Sequence, residues 1–232
     1  MKTERTQLAG LTTRIVERPD AKLTAILMHG FGAPGDDLVG LAPYLAAPVR
    51  FVFPEAPLEL GGLYGDSRAW WLLDLERLER ELASGRPHDR RGELPDGLPA
   101  ARDHVVRLVE EVKARFSIDE SQLVLGGFSQ GAMLALDVAL HLDKAPRALV
   151  LMSGTLLAES VWQPRLSRLA GVPVLMSHGR NDQLLPFSAA EDLRDRLRAA
   201  GAQVEWVQFA GGHEIPPSVV DAAKTFLRSS VG

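Results

Sequence analysis

The segment Gln122–Leu142, QLVLGGFSQGAMLALDVALHL, decides the fold. Its opening, Gln122 to Leu125, is a short apolar run that reads as a strand, and its end, Ala132 to Leu142, reads as a helix. Between them lies Gly127-Phe128-Ser129-Gln130-Gly131, a G-x-S-x-G pentapeptide. Alone the pentapeptide is a weak signal in a chain with 21 glycines. A strand before it and a helix after it give the sharp turn that presents a nucleophilic serine. Glycines flank the serine because larger side chains would strike the neighbouring strand and helix. The competing reading is an ordinary turn whose serine caps the helix.

The same alternation extends outward. Leu23–Met28, Val49–Phe53, Ala148–Met152, Val172–Met176 and Val204–Phe209 are short, mainly apolar runs that do not alternate regularly. Such runs suit strands covered on both faces of a parallel sheet. Ala101, Val105, Leu108, Val109, Val112 and Phe116 recur at helical spacing, as do Ala190, Leu193, Leu197 and Ala200, and then Val219, Ala223 and Phe226. The pattern predicts one α/β domain over residues 1–232, a mostly parallel central sheet with helices on both faces. Trp71, Leu75, Leu78 and Leu82 form a further apolar helical stripe, supported by Glu76/Arg80 and Arg77/Glu81 pairs. The segment Ser84–Pro99 then lacks periodicity and reads either as a solvated connection or as an active-site flap. Its Arg86, Arg90 and Arg91 read as a solvated basic cluster rather than a membrane patch.

Composition excludes several classes. With 46% hydrophobic and 24% charged residues, the chain is not disordered. Lys plus Arg is 26 against 30 Asp plus Glu, a net charge of −4 that argues against a nucleic-acid binder. The absence of cysteine excludes disulfides, thiolate metal sites and a cysteine nucleophile, and fits a reducing compartment. The start, MKTERTQLAG, has no signal-peptide apolar stretch, and no run nears the ~18 residues that span a bilayer. The expectation is a soluble, cytoplasmic protein; its oligomeric state is left open. No metal-ligand spacing, P-loop or G-x-G-x-x-G follows the first strand, so neither a metal nor another cofactor is expected.

A serine hydroxyl needs a base to take its proton and an acid to orient the base. In this architecture the chain order is serine, acid, histidine. Downstream of Ser129, His141 lies on the helix leaving the turn and His178 ends a strand. His213 sits in Gly211-Gly212-His213, a loop between the last strand and the last helix, and is the expected base; the bland alternative is a surface loop histidine. Asp182 follows the strand Val172–Met176 and is the expected acid, with helix capping as its alternative. Asp192 and Asp195 are rivals inside a helix. Oxyanion donors are expected from the backbone N–H of Gln130, directly after the serine, and of Phe31, in the glycine-rich loop His29-Gly30-Phe31-Gly32. Asp36 and Asp37 read as helix caps.

HGFGAPGDD, GFSQGAMLALDVAL, SHGRNDQLLPF and GGHEIPPSVVDAAKTFL together resemble the phospholipase/carboxylesterase family of α/β hydrolases, which includes acyl-protein thioesterases and small bacterial carboxylesterases. The resemblance runs from about Leu23 to Leu227. It implies the α/β-hydrolase fold, a Ser129–Asp182–His213 triad, and Phe31 and Gln130 in the oxyanion hole. It implies a serine esterase acting on small acyl esters or thioesters through an acyl-enzyme. Lysophospholipase or acyl-protein thioesterase activity on long acyl chains is the alternative, and an inactive binding protein on the same fold a third reading. Ser67-Arg68-Ala69-Trp70-Trp71 resembles a family segment beside the active site, so Trp70 and Trp71 are expected in the acyl pocket unless they are plain core. Ala33 and Leu38 stand where relatives often carry an acidic and an aromatic residue, and Ser84–Pro99 departs from the family segment, so substrate identity is left open.

Overall fold

The computed structural model describes residues 2–61, 65–84 and 89–231, and within 65–84 not the side chains of Leu78, Leu82 and Ser84. An eight-stranded sheet forms its centre. The chain opens with a hairpin, β1 (Lys2–Leu8) and β2 (Leu11–Glu17), turned by Ala9 and Gly10 at φ 51° and 78°. Positive φ at both turn residues matches the twist of the flanking strands. Then follow β3 (Leu23–Met28), a short helix α1 (Ala42–Leu45) and β4 (Val49–Pro54). Leu58–Glu59 (β5) and Arg68–Ala69 (β6) form a separate two-stranded ribbon. Helices α2 (Leu75–Ser84) and α3 (Leu98–Phe116) precede β7 (Leu123–Phe128) and α4 (Gln130–His141). The remainder is β8 (Ala148–Met152), α5 (Glu159–Trp162), β9 (Pro173–Gly179), α6 (Phe187–Ala199), β10 (Gln203–Phe209) and α7 (Pro217–Ser230).

The strand order is β1-β2-β4-β3-β7-β8-β9-β10. From β4 to β10 all neighbours are parallel, while β1 and β2 are antiparallel additions at one edge. The expected α/β-hydrolase architecture is therefore the observed one. The apolar-run criterion passes over the hairpin because β1 is an edge strand with mostly exposed or half-buried residues and β2 alternates. The predicted stripe from Trp71 also needs correction: α2 begins at Leu75, leaving Trp71 in the preceding loop.

Strand periodicity of two divides the interior into two cores. On β3, Ile26 and Met28 face one core, and Ala25 and Leu27 face the other. The first core is closed by α3, α4 and α6, through residues such as Val105, Leu134 and Leu193. The second is closed by α1 and α7, through Leu45, Val219 and Phe226. No helix among the described residues is long and apolar enough to cross a membrane.

This topology fixes where a site can form. Chain order runs outward from β3 to β4 on one side and from β7 to β10 on the other, so β3 and β7 straddle the reversal point. Ligands of open parallel sheets bind beyond the carboxyl ends of the strands at that point.

Candidate active site

Ser129 stands just there, between β7 and α4, at φ 55° and ψ −118°. A non-glycine residue in this region is strained, and such strain concentrates at functional positions. Its side chain makes no capping hydrogen bond to the helix, which removes the bland reading of a capping serine. The flanking glycines are sterically required. A Cβ on Gly131 would lie 2.1 Å from the Met28 carbonyl oxygen, and one on Gly127 2.3 Å from the same atom. Backbone of β3, the turn and α4 thus meet with no room for a side chain.

Asp182 and His213 come from the loops after β9 and β10. Arg180 N–H donates to Phe209 O and Asn181 N–H to Gly211 O, both at 2.9 Å, so backbone bonds zip the two loops together. A Cβ on Gly179 would lie 2.1 Å from Gly212 O, the same close approach seen at the serine turn. His213 Nδ1 reaches Asp182 Oδ2 at 2.7 Å. Asp182 Oδ1 accepts the N–H groups of Leu184 and Leu185 at 2.9 Å each. Burial alone would raise the carboxyl pKa, but the His213 hydrogen bond and charge, joined by the Leu185 N–H, outweigh it and hold Asp182 below the ordinary carboxylate range. The His213 ring packs against Phe128, with centroids 4.8 Å apart.

His178, which ends a strand in the sequence reading, lies behind Asp182 in the structure. It is fully buried, with Nε2 3.1 Å from Leu185 O and 3.3 Å from Asp182 Oδ2. His141 bonds its own helix through Asp137 O and meets Arg102. Asp192 pairs with Arg91 and Arg196, and Asp195 with Arg194, all outside the site.

Ser129, Gln130, Phe31 and His213 share one cavity of about 190 Å³, whose apolar wall includes Trp71, Leu73, Met133, Leu157, Leu184 and Leu185. Neither the Phe31 nor the Gln130 N–H is donated to another group among the described residues. Gln130 opens α4, where first-turn N–H groups lack intrahelical partners.

The signature of the phospholipase/carboxylesterase family matches residues 12–231. The chain belongs to that family. Acyl-protein thioesterase 1 of Eremothecium gossypii is 29% identical over 221 residues, 91% of this chain and 89% of that protein. The crystal structure of esterase PE8 is similar with a TM-score of 0.79 at 28% identity, covering 94% of this chain and 98% of that one. A carboxylesterase from Mesorhizobium loti, at 20% identity and a TM-score of 0.76, covers 97% of this chain and 98% of its own and shares the fold.

Within this phospholipase/carboxylesterase member, the cavity wall departs from the sequence reading. Trp70 and Trp71 are both buried, but only Trp71 lines the cavity. Trp70 is turned to the interior, where Nε1–H donates to His29 O at 3.0 Å. The Gln130 side chain accepts from Trp70 N–H and donates to Trp71 O, at 2.9 Å each. In the described part of the expected connection or flap, residues 89–97 are irregular with Asp89, Gly92, Leu94 and Asp96 exposed, and Leu98 and Pro99 already belong to α3; the segment is tied down at several points. Arg91 O and Glu93 O accept the N–H groups of Glu159 and Ala158. Arg90, Glu93 and Pro95 line the cavity, and Arg90 bridges Glu81 and Glu93 while Arg77 binds the same two carboxylates. Arg90 and Arg91 are therefore ion-paired, against the expectation of a solvated cluster; Arg86 lies outside the described residues. Asp36 pairs with Arg14 instead of capping a helix, and Asp37 borders the cavity. Long-range partners of this kind leave no local sequence signal.

Proposed function

We propose that the chain cleaves carboxylic esters through an acyl-enzyme on Ser129. The observation that carries this reading is His213, bonded to Asp182 at 2.7 Å and sharing a cavity wall with a serine held at φ 55°. His213 Nε2 takes the hydroxyl proton as Ser129 Oγ bonds to the acyl carbon. Asp182 fixes the Nδ1–H tautomer and offsets the imidazolium charge. The carbonyl oxygen becomes an anion held by Phe31 and Gln130 N–H. Its collapse expels the alcohol, which leaves with the proton from His213. Water then repeats the sequence to release the acid.

Apolar residues around Ser129 suit an acyl chain, with the leaving group towards solvent. Acyl thioesters are a second substrate class, favoured by the same lining and by the thioesterase named among the relatives. A cytoplasmic setting is supported by the absence of cysteine.

The test is a panel of p-nitrophenyl esters and acyl thioesters graded from acetyl to palmitoyl, run beside Ser129→Ala and fluorophosphonate labelling. Hydrolysis and labelling should both vanish in the variant, with kcat down about 10⁶-fold. A native chain that neither labels nor turns over any member would leave the inactive binding protein as the reading.

A further inference from the structure

The two oxyanion donors sit on different elements, Phe31 in the loop after β3 and Gln130 at the start of α4, so their mutual position has to be set by contacts. We propose, resting on the hydrolase reading above, that His29 and Trp70 are positioning residues that aim the Phe31 N–H and tie it to Gln130.

The argument begins at one peptide plane. In a trans peptide the C=O and the N–H point in opposite directions. The group that holds Gly30 O therefore aims the N–H of Phe31. Two groups meet Gly30 O: the Ala33 N–H at a long 3.4 Å, and His29, whose Nδ1 lies closer at 2.8 Å and is the stronger hold. The other ring nitrogen settles the tautomer. Nε2 lies 3.1 Å from the backbone N of Ala56, which can only donate, so Nε2 is bare and Nδ1 carries the proton. An imidazolium could not accept the Ala56 N–H. Burial, the largest influence on this ring, lowers its pKa and keeps it neutral.

Trp70 completes the tie. Its Nε1–H donates to His29 O, and its backbone N–H donates to Gln130 Oε1. Its ring lies against the imidazole, centroids 5.7 Å apart. One buried residue thus links the loop that bears the first donor to the residue that bears the second. This also accounts for its absence from the cavity wall.

The test compares hydrolysis of p-nitrophenyl butyrate with that of its thionoester, in which sulfur replaces the carbonyl oxygen. Sulfur accepts hydrogen bonds weakly, so the oxo-to-thiono ratio of kcat/KM reads the oxyanion hole. Loss of folded protein scales both substrates alike and leaves the ratio untouched. His29→Asn places an amide nitrogen near the Nδ1 position and keeps a donor for Gly30 O. His29→Gln carries its amide one methylene further, towards Ala56, and gives that donor up. Removing one oxyanion donor costs about 10²–10³ in kcat, and a misaimed donor should cost part of that, about 10- to 100-fold in His29→Gln, with KM within about twofold. The ratio should shrink with kcat in His29→Gln, stay within about threefold in His29→Asn, and fall between the two in Trp70→Phe. A native ratio in His29→Gln, or equal losses in His29→Asn and His29→Gln, would overturn the proposal. Ser129→Ala in the same assay keeps the two readings apart: if it retained turnover, the hydrolase mechanism itself would fall.

Discussion

The rim of the site and its wall are built in different ways. The rim carries Ser129, Asp182 and His213 on turns at the ends of β7, β9 and β10. Main chain holds it: Gly127, Gly131 and Gly179 let backbone approach backbone so closely that a Cβ would clash within 2.3 Å. The wall segments, 68–84 and 89–95, add side-chain ties to main-chain bonds at the β5–β6 ribbon and from the Ala158 and Glu159 N–H groups. Gln130 bonds the Trp70–Trp71 segment, and Arg77, Arg90, Glu81 and Glu93 tie α2 to the following loop. Main-chain packing leaves few alternatives and suits groups that must meet with sub-ångström tolerance. Ion pairs between long side chains are weaker, and suit a surface that only shapes the substrate pocket.

The largest effect should come from the rim. Asp182→Asn keeps the size of the side chain and the acceptor for Leu184 and Leu185 N–H, so the fold should hold. The histidine tautomer is no longer fixed, and kcat should fall by about 10⁴. Steady-state kinetics with circular dichroism checks this. A folded variant within tenfold of the native kcat would remove Asp182 from the proposed triad.

Stability separates the regions next. Gly131→Ala sets a Cβ against Met28 O and should cost about 1–3 kcal/mol or more, the usual range for overpacking. Gly92, in the wall loop, has open space where a Cβ would stand. Gly92→Ala should be neutral or stabilising by less than about 1 kcal/mol, because it restricts the unfolded chain. Urea midpoints on both variants give the comparison, and equal losses would break it.

The same contrast decides what the sequence could reveal. The candidate set Ser129, Asp182 and His213 was legible because each stands just past the carboxyl end of a strand, in the chain order serine, acid, histidine, and such order survives in a linear text. The inner parallel strands β3, β7 and β8 were legible as mainly apolar runs, while β4 is broken by Arg50 and the edge strand β10 by Glu205 and Gln208. The wall was not. Trp70 and Trp71 are neighbours with opposite fates, chosen by the β5–β6 ribbon and by Gln130, some 60 positions downstream. Arg90 reads as a solvated charge until α2 folds Glu81 against it. The stripe of Leu78 and Leu82 falls on side chains outside the described set, and so does the 85–88 part of the expected flap.

Acid should reach the rim before the wall. His29 and His178 are both buried, and burial, as the leading cause, lowers the pKa of each. For His29 the nearby Asp37 and Glu55 carboxylates pull the other way without overcoming it. The unfolded chain takes up these protons near pH ~6.5 while the native state refuses them. Bound protons are then more numerous in the unfolded state, so stability is full above that pH and declines as pH falls below it. The slope is at most about 1.4 kcal/mol per pH unit for each histidine. Thermal melts from pH 7 to 5 should show the decline, and His29→Asn should flatten it. An unchanged slope in that variant would mean that His29 is not neutral in the native state.

Salt should act on the wall and spare the rim. Arg90 and Glu81 each keep 16% of the side chain exposed and Glu93 32%, so salt screens these pairs less than open surface ones but reaches them more than it reaches the fully buried Asp182 carboxylate. Arg90→Met keeps the apolar stem against the cavity and removes the charge. Loosening that wall weakens binding in the ground state and the transition state alike, so KM should rise about two- to fivefold with kcat unchanged. High ionic strength should raise KM in the native chain and raise it less in the variant, where the Arg90 pairs are gone and the Arg77 pairs remain to be screened. A fall in kcat instead would carry the ion pairs into the reacting geometry and erase the division between rim and wall.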